Sequence, residues 1–524
     1  MNTEIRRAPS CTEGLRVTRC PLCEKKSIMQ TSSQHVIVIG AGIGGLAAAI
    51  RLSVNGMQVD VYEKNSHAGG KLHSIEKGGF RFDAGPSLFT QPQLIAELFS
   101  LAGEDIGQYL HYKSIPVACH YFWEDGILLK AYSDKILFGN EIAAHTSDDG
   151  EALDKYLASA AKAYKSIGSV FLDHSLHKRN TFFKAPLKEA LTATRWSYLF
   201  KSLHEYNSAR FSNPKLVQLF NRYATYNGSN PYRAPGMLGM IPHLEYNEGV
   251  FYPEGGMISI ADALYRLALK KGVRFHFNTP VQRIIVHERK AIGVVVNDVN
   301  IFARAIVSNM DAYFTYGKLL GDERKAKKLL KQERSSSALI FYWGIGKTFS
   351  QLDLHNIFFA QDYRSEFDHL FRLKAMHDDP TVYINITSKY DPGVTAPADK
   401  ENWFVMVNAP ANIGQNWTAI RDKARSAILA KLSRALKTEI APLIEAEMVM
   451  DPLSIEQSSA SFMGSLYGTS SNSRMAAFLR HPNFSKQIRG LYFAGGSVHP
   501  GGGIPLCLRS AKIATECLLH DIKR

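Results

Sequence analysis

The 524-residue chain is 45% hydrophobic and 21% charged, an ordinary globular balance with length for two or three domains. Its formal charge is +14, but no zinc-finger spacing, basic block or RNA-binding signature accompanies it, which sets nucleic acid aside and leaves an anionic membrane surface open. No run of about 18 apolar residues occurs, so no transmembrane helix is predicted.

Residues 1–34 show no sustained helical or strand period and carry six basic against three acidic side chains. We expect an unstructured extension, and Met29 reads as an alternative start just ahead of the first strand. The six cysteines, at 11, 20, 23, 119, 507 and 517, are scattered and follow no signal peptide, which fits a reducing compartment. Cys20 and Cys23 form a lone CxxC without the second pair a zinc site needs, so no metal is expected.

The first organised stretch is HVIVIGAGIGGLAAAIRL, from His35 to Leu52. A short β-branched run, His35 to Ile39, reads as a buried strand. Gly40, Gly42 and Gly45 form G-x-G-x-x-G, and Leu46 to Leu52 reads as an alanine-rich helix. A second strand, Val59 to Tyr62, ends at Glu63, 18 residues after Gly45. In such a βαβ unit the first glycine permits the tight turn, the second lets backbone approach a diphosphate, and the third lets helix pack on strand. The helix N-terminus offers free N–H groups to phosphates, and the acid accepts from ribose hydroxyls.

Past the acid, YEKNSHAGGKL places Gly69, Gly70 and Lys71. A dinucleotide motif extended by a second glycine pair and a cation resembles the flavin amine-oxidase and carotenoid-desaturase superfamily. That resemblance implies FAD, with Lys71 where arginine is usual; lysine offers a point charge without a bidentate fork. Near the C-terminus, GLYFAGG reads as a strand and glycine turn, SVHPGGGIP follows, and Leu506 to Leu519 has helical spacing. In the superfamily this unit returns beside the first, its turn and helix N-terminus facing the flavin ring.

HPGGGIP is similar to the close of the bacterial phytoene-desaturase type of carotenoid desaturases. GGFRFDAGPSLFT (78–90) resembles their flavin-proximal loop, and YPEGGMISIADALYRLALKKGVRFHFNTPVQRI (252–284) their return to the flavin domain, with Val281 at the adenine. AIVSNMDA (305–312) resembles the strand closing that sheet. The middle most resembles the 1-hydroxycarotenoid 3,4-desaturase branch, through YATYNGSNPYRAPGMLGMIPHLE, LHNIFFAQDYRSEF, ENWFVMVNAP and HYFWEDG. The implied fold class is α/β: a discontinuous Rossmann-type FAD-binding domain (35–110, 250–312 and 485–524) with an α+β substrate-binding domain (111–249 and 313–484). The resemblance assigns the cofactor to Gly40, Gly42, Gly44, Gly45, Glu63, Lys64, Gly69, Gly70, Lys71, Gly85, Pro86, Val281, Gly495, Gly496, Ser497, Gly503, Ile504 and Pro505.

The implied reaction is oxidation of a C–C bond to C=C beside a polyene, with the flavin taking a hydride. Phytoene, neurosporene and other carotenes, a retinol-saturase-like reduction and a flavin amine oxidase remain alternatives; a non-catalytic relative of the Rab GDP-dissociation inhibitors is disfavoured by the intact glycine motifs. His499, in the flavin-facing turn, is a candidate proton acceptor or a brace; Asp83 and Glu245 are further acids, Asp83 as a loop brace. A hydroxylated substrate predicts one polar group waiting in an apolar tunnel. A carotene must be collected from a bilayer, so the expected location is cytoplasmic, peripheral on the inner face of the membrane, with the electron acceptor open. Arg195 to Tyr226 mixes aromatics with cations, as an interfacial helix or a core helix with a basic face would.

Overall fold

The computed structural model describes residues 34–175, 177–178, 200–473 and 480–523. The sequence readings on residues 1–33, with Met29 and the CxxC pair, and on 195–199 lie outside them.

A parallel five-stranded sheet holds the first half of the architecture. Its order is Leu491–Phe493, Ala305–Ser308, His35–Ile39, Gln58–Tyr62 and Arg274–His276. Both faces are covered, so the central strand is apolar at successive positions. Val36 and Val38 point into a core with helices Ile43–Val54, Ile258–Lys270 and Ile504–Ile522. Ile37 and Ile39 point the other way, against Val294 and Val296 of an antiparallel meander spanning 281–302. The first helix begins at Ile43, inside the glycine motif rather than at Leu46. The last begins at Ile504 with Pro505 in its first turn, where a missing N–H costs nothing.

The second half is a seven-stranded mixed sheet ordered Ile444–Met450, Ser337–Ile345, Glu401–Ala409, Val382–Ile386, His355–Phe358, Val117–Phe122 and Leu128–Tyr132. All of Ser337–Ile345 is buried. Leu339, Phe341 and Trp343 pack under helix Trp417–Leu436, while Ala338, Ile340 and Tyr342 face Phe80 and Phe82 of the hairpin spanning 73–84. That hairpin leads into the Gly85–Pro86 turn, so one face of the large sheet looks back toward the glycine motifs.

Helices Leu203–Ser208 and Pro214–Asn221 and the 3-10 turn Arg222–Asn227 turn aromatics inward: Tyr206, Phe220 and Tyr223 are fully buried in a further core. Over 203–223 the interfacial alternative therefore gives way to core packing. Among the described residues no helix is long and apolar enough to cross a membrane, and no cluster of side chains could hold a metal.

Candidate active site

The first glycine loop is built by contacts that leave no room for side chains. Gly40 sits at φ +95°, in the left-handed region that favours glycine, and its N–H donates to Tyr62 O at 2.8 Å. A Cβ on Gly45 would lie 2.0 Å from Gly40 O, and one on Gly42 would lie 2.7 Å from Asn309 Oδ1. Glu63 is buried at the tip of the second strand. Its Oε2 accepts from Ala41 N–H at 2.7 Å and its Oε1 from Asn65 N–H at 2.9 Å. Two backbone amides thus fix the carboxylate, and each oxygen keeps a further lone pair for a ligand.

Sequence reasoning missed Asn309. Its N–H donates to Ile39 O at 2.8 Å and its Nδ2 to Ala494 O at 2.9 Å. It clasps the C-terminal ends of three strands behind the glycines. The only local signal was a polar residue directly after a buried β-branched strand.

The second glycine pair closes on the first. Gly69 N–H donates to Ala41 O at 2.9 Å, and a Cβ on Gly70 would meet Gly42 Cα at 3.1 Å. Lys71 donates from Nζ to Leu466 O at 2.9 Å. Burial pushes its pKa down to about 8, against the pull of Asp311. Lys64 reaches Gln457 O at 2.7 Å, and partial burial lowers its pKa. At the C-terminal turn, Gly495 N–H donates to Ser510 Oγ at 3.0 Å and Ser497 Oγ accepts from Ala312 N–H at 3.1 Å.

These pieces meet in one cavity of about 600 Å³. Gly40, Gly42, Gly44, Glu63, Lys64, Gly69, Gly70, Lys71, Gly85, Pro86, Val281, Gly496, Ser497, Gly503, Ile504 and Pro505 all line it. Gly45 and Gly495 stand behind the wall, where Gly45 meets Gly40 and Gly495 meets Asn309. A cradle that Cβ atoms would obstruct, a buried carboxylate, a half-buried cation and a helix N-terminus together suit a dinucleotide with a diphosphate, and FAD fits this donor set.

The cavity continues beneath the large sheet. Ile340, Met406, Tyr383 and Ile357 are register partners across four adjacent strands, and all four line it. Leu238, Met240, Ile241 and Leu244 add apolar wall. Glu245 also lines it; its Oε2 accepts from Tyr223 Oη and, at 3.5 Å, from Arg222, and burial raises its pKa. Sequence reasoning named Glu245 and missed Arg222, Tyr383 and His355 beside it, all three in the wall.

Of the two readings of His499, proton acceptor or brace, the geometry matches the brace. It is fully buried behind the turn, and its Nε2–H donates to His174 O at 3.0 Å. Its ring faces Phe171 and His177, and burial drives its pKa down to about 4. The side chain braces the turn and is not a wall residue. Asp83 braces too: its Oδ2 accepts from Met257 N–H at 2.7 Å, and burial raises its pKa to about 6.

Residues 43–327, more than half of the chain, match the family of flavin containing amine oxidoreductases. A 1-hydroxycarotenoid 3,4-desaturase of Flavobacterium sp. (strain P99-3) is 51% identical over 485 residues, 93% of this chain and 99% of that protein. A 4,4'-diaponeurosporene oxygenase of Staphylococcus aureus (strain MSSA476) is 33% identical, over 92% of this chain and 97% of that protein. Among solved structures, an oxidoreductase from Methanosarcina mazei aligns with TM-score 0.63 at 15% identity, covering 92% of this chain and 100% of that one. A putrescine oxidase aligns with TM-score 0.60 at 13% identity, covering 93% and 99%. At those identities the structures show the shared fold.

Proposed function

This chain belongs to the flavin-containing amine oxidoreductases and, within them, to the carotenoid desaturases, and from that premise we propose that it oxidises the 3,4-bond of an acyclic 1-hydroxylated carotene. The carrying observation is the single cavity that joins the glycine cradle to an apolar wall under the large sheet. The relative at 51% identity over nearly its whole length supports the choice of substrate class.

When bound, FAD supplies a two-electron acceptor for a C–H bond. The chain's own residues bind and orient. Glu63, held by Ala41 and Asn65, takes the ribose hydroxyls. Gly42 and Gly44 admit the diphosphate, Gly70 supports the cradle, and Lys71 offsets its charge. Gly85, Pro86, Gly503, Ile504 and Pro505 line the part of the cavity that would receive the flavin ring. Ile340, Ile357 and Met406 hold the polyene and exclude water. His499 and Asp83 are both engaged elsewhere, so the substrate's conjugation carries the developing charge without a strong base from either.

We further propose that the protein collects its substrate at the inner membrane surface without a spanning helix, its net charge of +14 favouring anionic headgroups.

The test is an absorbance assay in liposomes with FAD and a quinone, comparing a 1-hydroxylated acyclic carotene with the matched hydrocarbon. A red shift confined to the hydroxylated substrate, with a product lacking two hydrogens, is the expected result. A shift with the hydrocarbon alone, or a product that has gained oxygen, would overturn the assignment.

A further inference from the structure

The wall under the large sheet is largely apolar; Thr381 and Asn408 reach into it but are engaged by Glu366, and a second polar cluster lies at His355. His355 is buried there, on the strand His355–Phe358. Its Nδ1 lies 2.8 Å from Tyr383 Oη and 3.2 Å from Asn385 Nδ2. Asn385 Nδ2 also donates to Leu354 O at 3.0 Å, which orients the amide with its donors toward both groups. His355 Nδ1 is therefore an acceptor and the ring proton sits on Nε2. Burial pushes the pKa of this ring down to about 3, so it stays neutral and Nε2–H stays a donor. That donor is buried and has no hydrogen-bond partner among the described residues.

Arg222 stands beside it. Its guanidinium lies among the rings of Tyr121, Tyr223 and Tyr226, 4.7 to 5.4 Å from their centroids. One terminal nitrogen donates to Tyr121 Oη at 2.8 Å and reaches Glu245 only at 3.5 Å. Its Nε–H is also buried without a partner. Buried polar groups are ordinarily satisfied, and a buried cation with a loose counter-ion is costly to keep. Both orphan groups are donors. Neither N–H has an acceptor within reach, which a hydroxyl oxygen provides and a hydrocarbon does not.

We propose that Arg222 and His355 form the subsite that binds the hydroxyl of the substrate and so select hydroxylated carotenes. The inference rests on the desaturase reading above. The chemistry of a 1-hydroxy, 3,4-oxidation sets where such a subsite must be: a single carbon separates the hydroxyl-bearing carbon from the bond that changes. The subsite has to adjoin the flavin-facing wall. Ser87, directly after the Gly85–Pro86 turn, lies 2.7 Å through Oγ from Tyr383 Oη, which in turn meets His355. A short hydrogen-bonded line thus runs from that turn to His355. Glu245 balances the charge of Arg222, and the unpartnered Nε–H is left to the ligand.

The test compares kcat/KM for a 1-hydroxylated acyclic carotene and its hydrocarbon counterpart in liposomes, using flavin-loaded protein. Wild type is set beside His355→Phe, His355→Gln and the paired change Arg222→Met with Glu245→Gln, which avoids stranding a buried carboxylate. FAD content per chain checks that each variant is folded. The preference for the hydroxylated substrate should fall about tenfold to a hundredfold in His355→Phe and in the paired variant, mainly through KM. It should largely return in His355→Gln, whose amide restores a donor. A wild-type preference that survives both changes with FAD content intact overturns the subsite and leaves the desaturase reading standing. A wild type indifferent to the hydroxyl overturns both.

Discussion

Glu63 and Ala41 are joined by a 2.7 Å hydrogen bond from the Ala41 amide to a carboxylate oxygen, across the gap between the first glycine turn and the end of the second strand. The bond ties the acid to the loop it serves.

Glu63→Gln should release flavin without unfolding the chain. The amide nitrogen can only donate, yet whichever oxygen it replaces accepts from a backbone N–H group. One donor would face another, at a cost of about 1–3 kcal/mol. The FAD absorbance per chain should drop several-fold while the far-UV circular dichroism is unchanged. Full flavin occupancy in the purified variant would contradict the role given to Glu63.

Gly45→Ala should be the most disruptive single methyl in the loop. Its Cβ would sit 2.0 Å from the Gly40 carbonyl oxygen, a backbone atom that cannot swing aside. Overpacking of this kind costs about 1–3 kcal/mol or more. A Tm lowered by several degrees and a loss of bound FAD are expected. A variant with wild-type Tm would show that the helix start can shift to admit the methyl.

Lys71 should make FAD affinity depend on pH. Burial depresses its pKa to about 8. A diphosphate beside it favours the charged form, so binding draws a proton onto Lys71 once the pH exceeds that value. Affinity should therefore be greatest below about pH 8 and decline above it. Fluorescence titration of flavin-free protein over a pH series reads this directly. Lys71→Met should bind FAD more weakly and without the decline; a decline of equal size in that variant would point to another group.

Asp60 should set the pH window of stability. It is held by His35 at 2.7 Å, Arg274 at 2.6 Å and His276 at 2.8 Å. Burial opposes its charge, but these hydrogen bonds outweigh it and hold the carboxyl well below its ordinary value. The Asp60 hydrogen bond likewise raises the pKa of His35. The Asp60 contribution is complete above its unfolded pKa of about 4 and is lost as pH falls toward the folded value. The His35 contribution is complete below its unfolded pKa of about 6.5 and is lost as pH rises through the folded value. Tm should peak between these limits and fall on both sides. Asp60→Asn should lower the peak and flatten the curve, and an unaltered pH profile in that variant would assign the window to other groups.

The βαβ unit, both glycine pairs and the C-terminal turn were legible because their chemistry is local: strand period, turn glycines and helix start lie within a few residues of one another. Resemblance then supplied FAD and the desaturase family. His499 stayed open between proton acceptor and brace because a position in a turn does not say which way a ring points; burial against His174 and Phe171 favours the brace. The roles of Asn309, Arg222 and His355, and the pairing of Glu245 with Arg222, were invisible for a related reason. Each joins segments far apart in the chain, and no periodicity records which distant polar groups share a wall. The sequence by itself determined that this protein carries a dinucleotide-binding loop and an apolar middle. Only the tertiary structure decided that one face of the large sheet continues the flavin cavity, and that two buried donors there lack an acceptor, because burial and hydrogen-bond partners are properties of the packed chain.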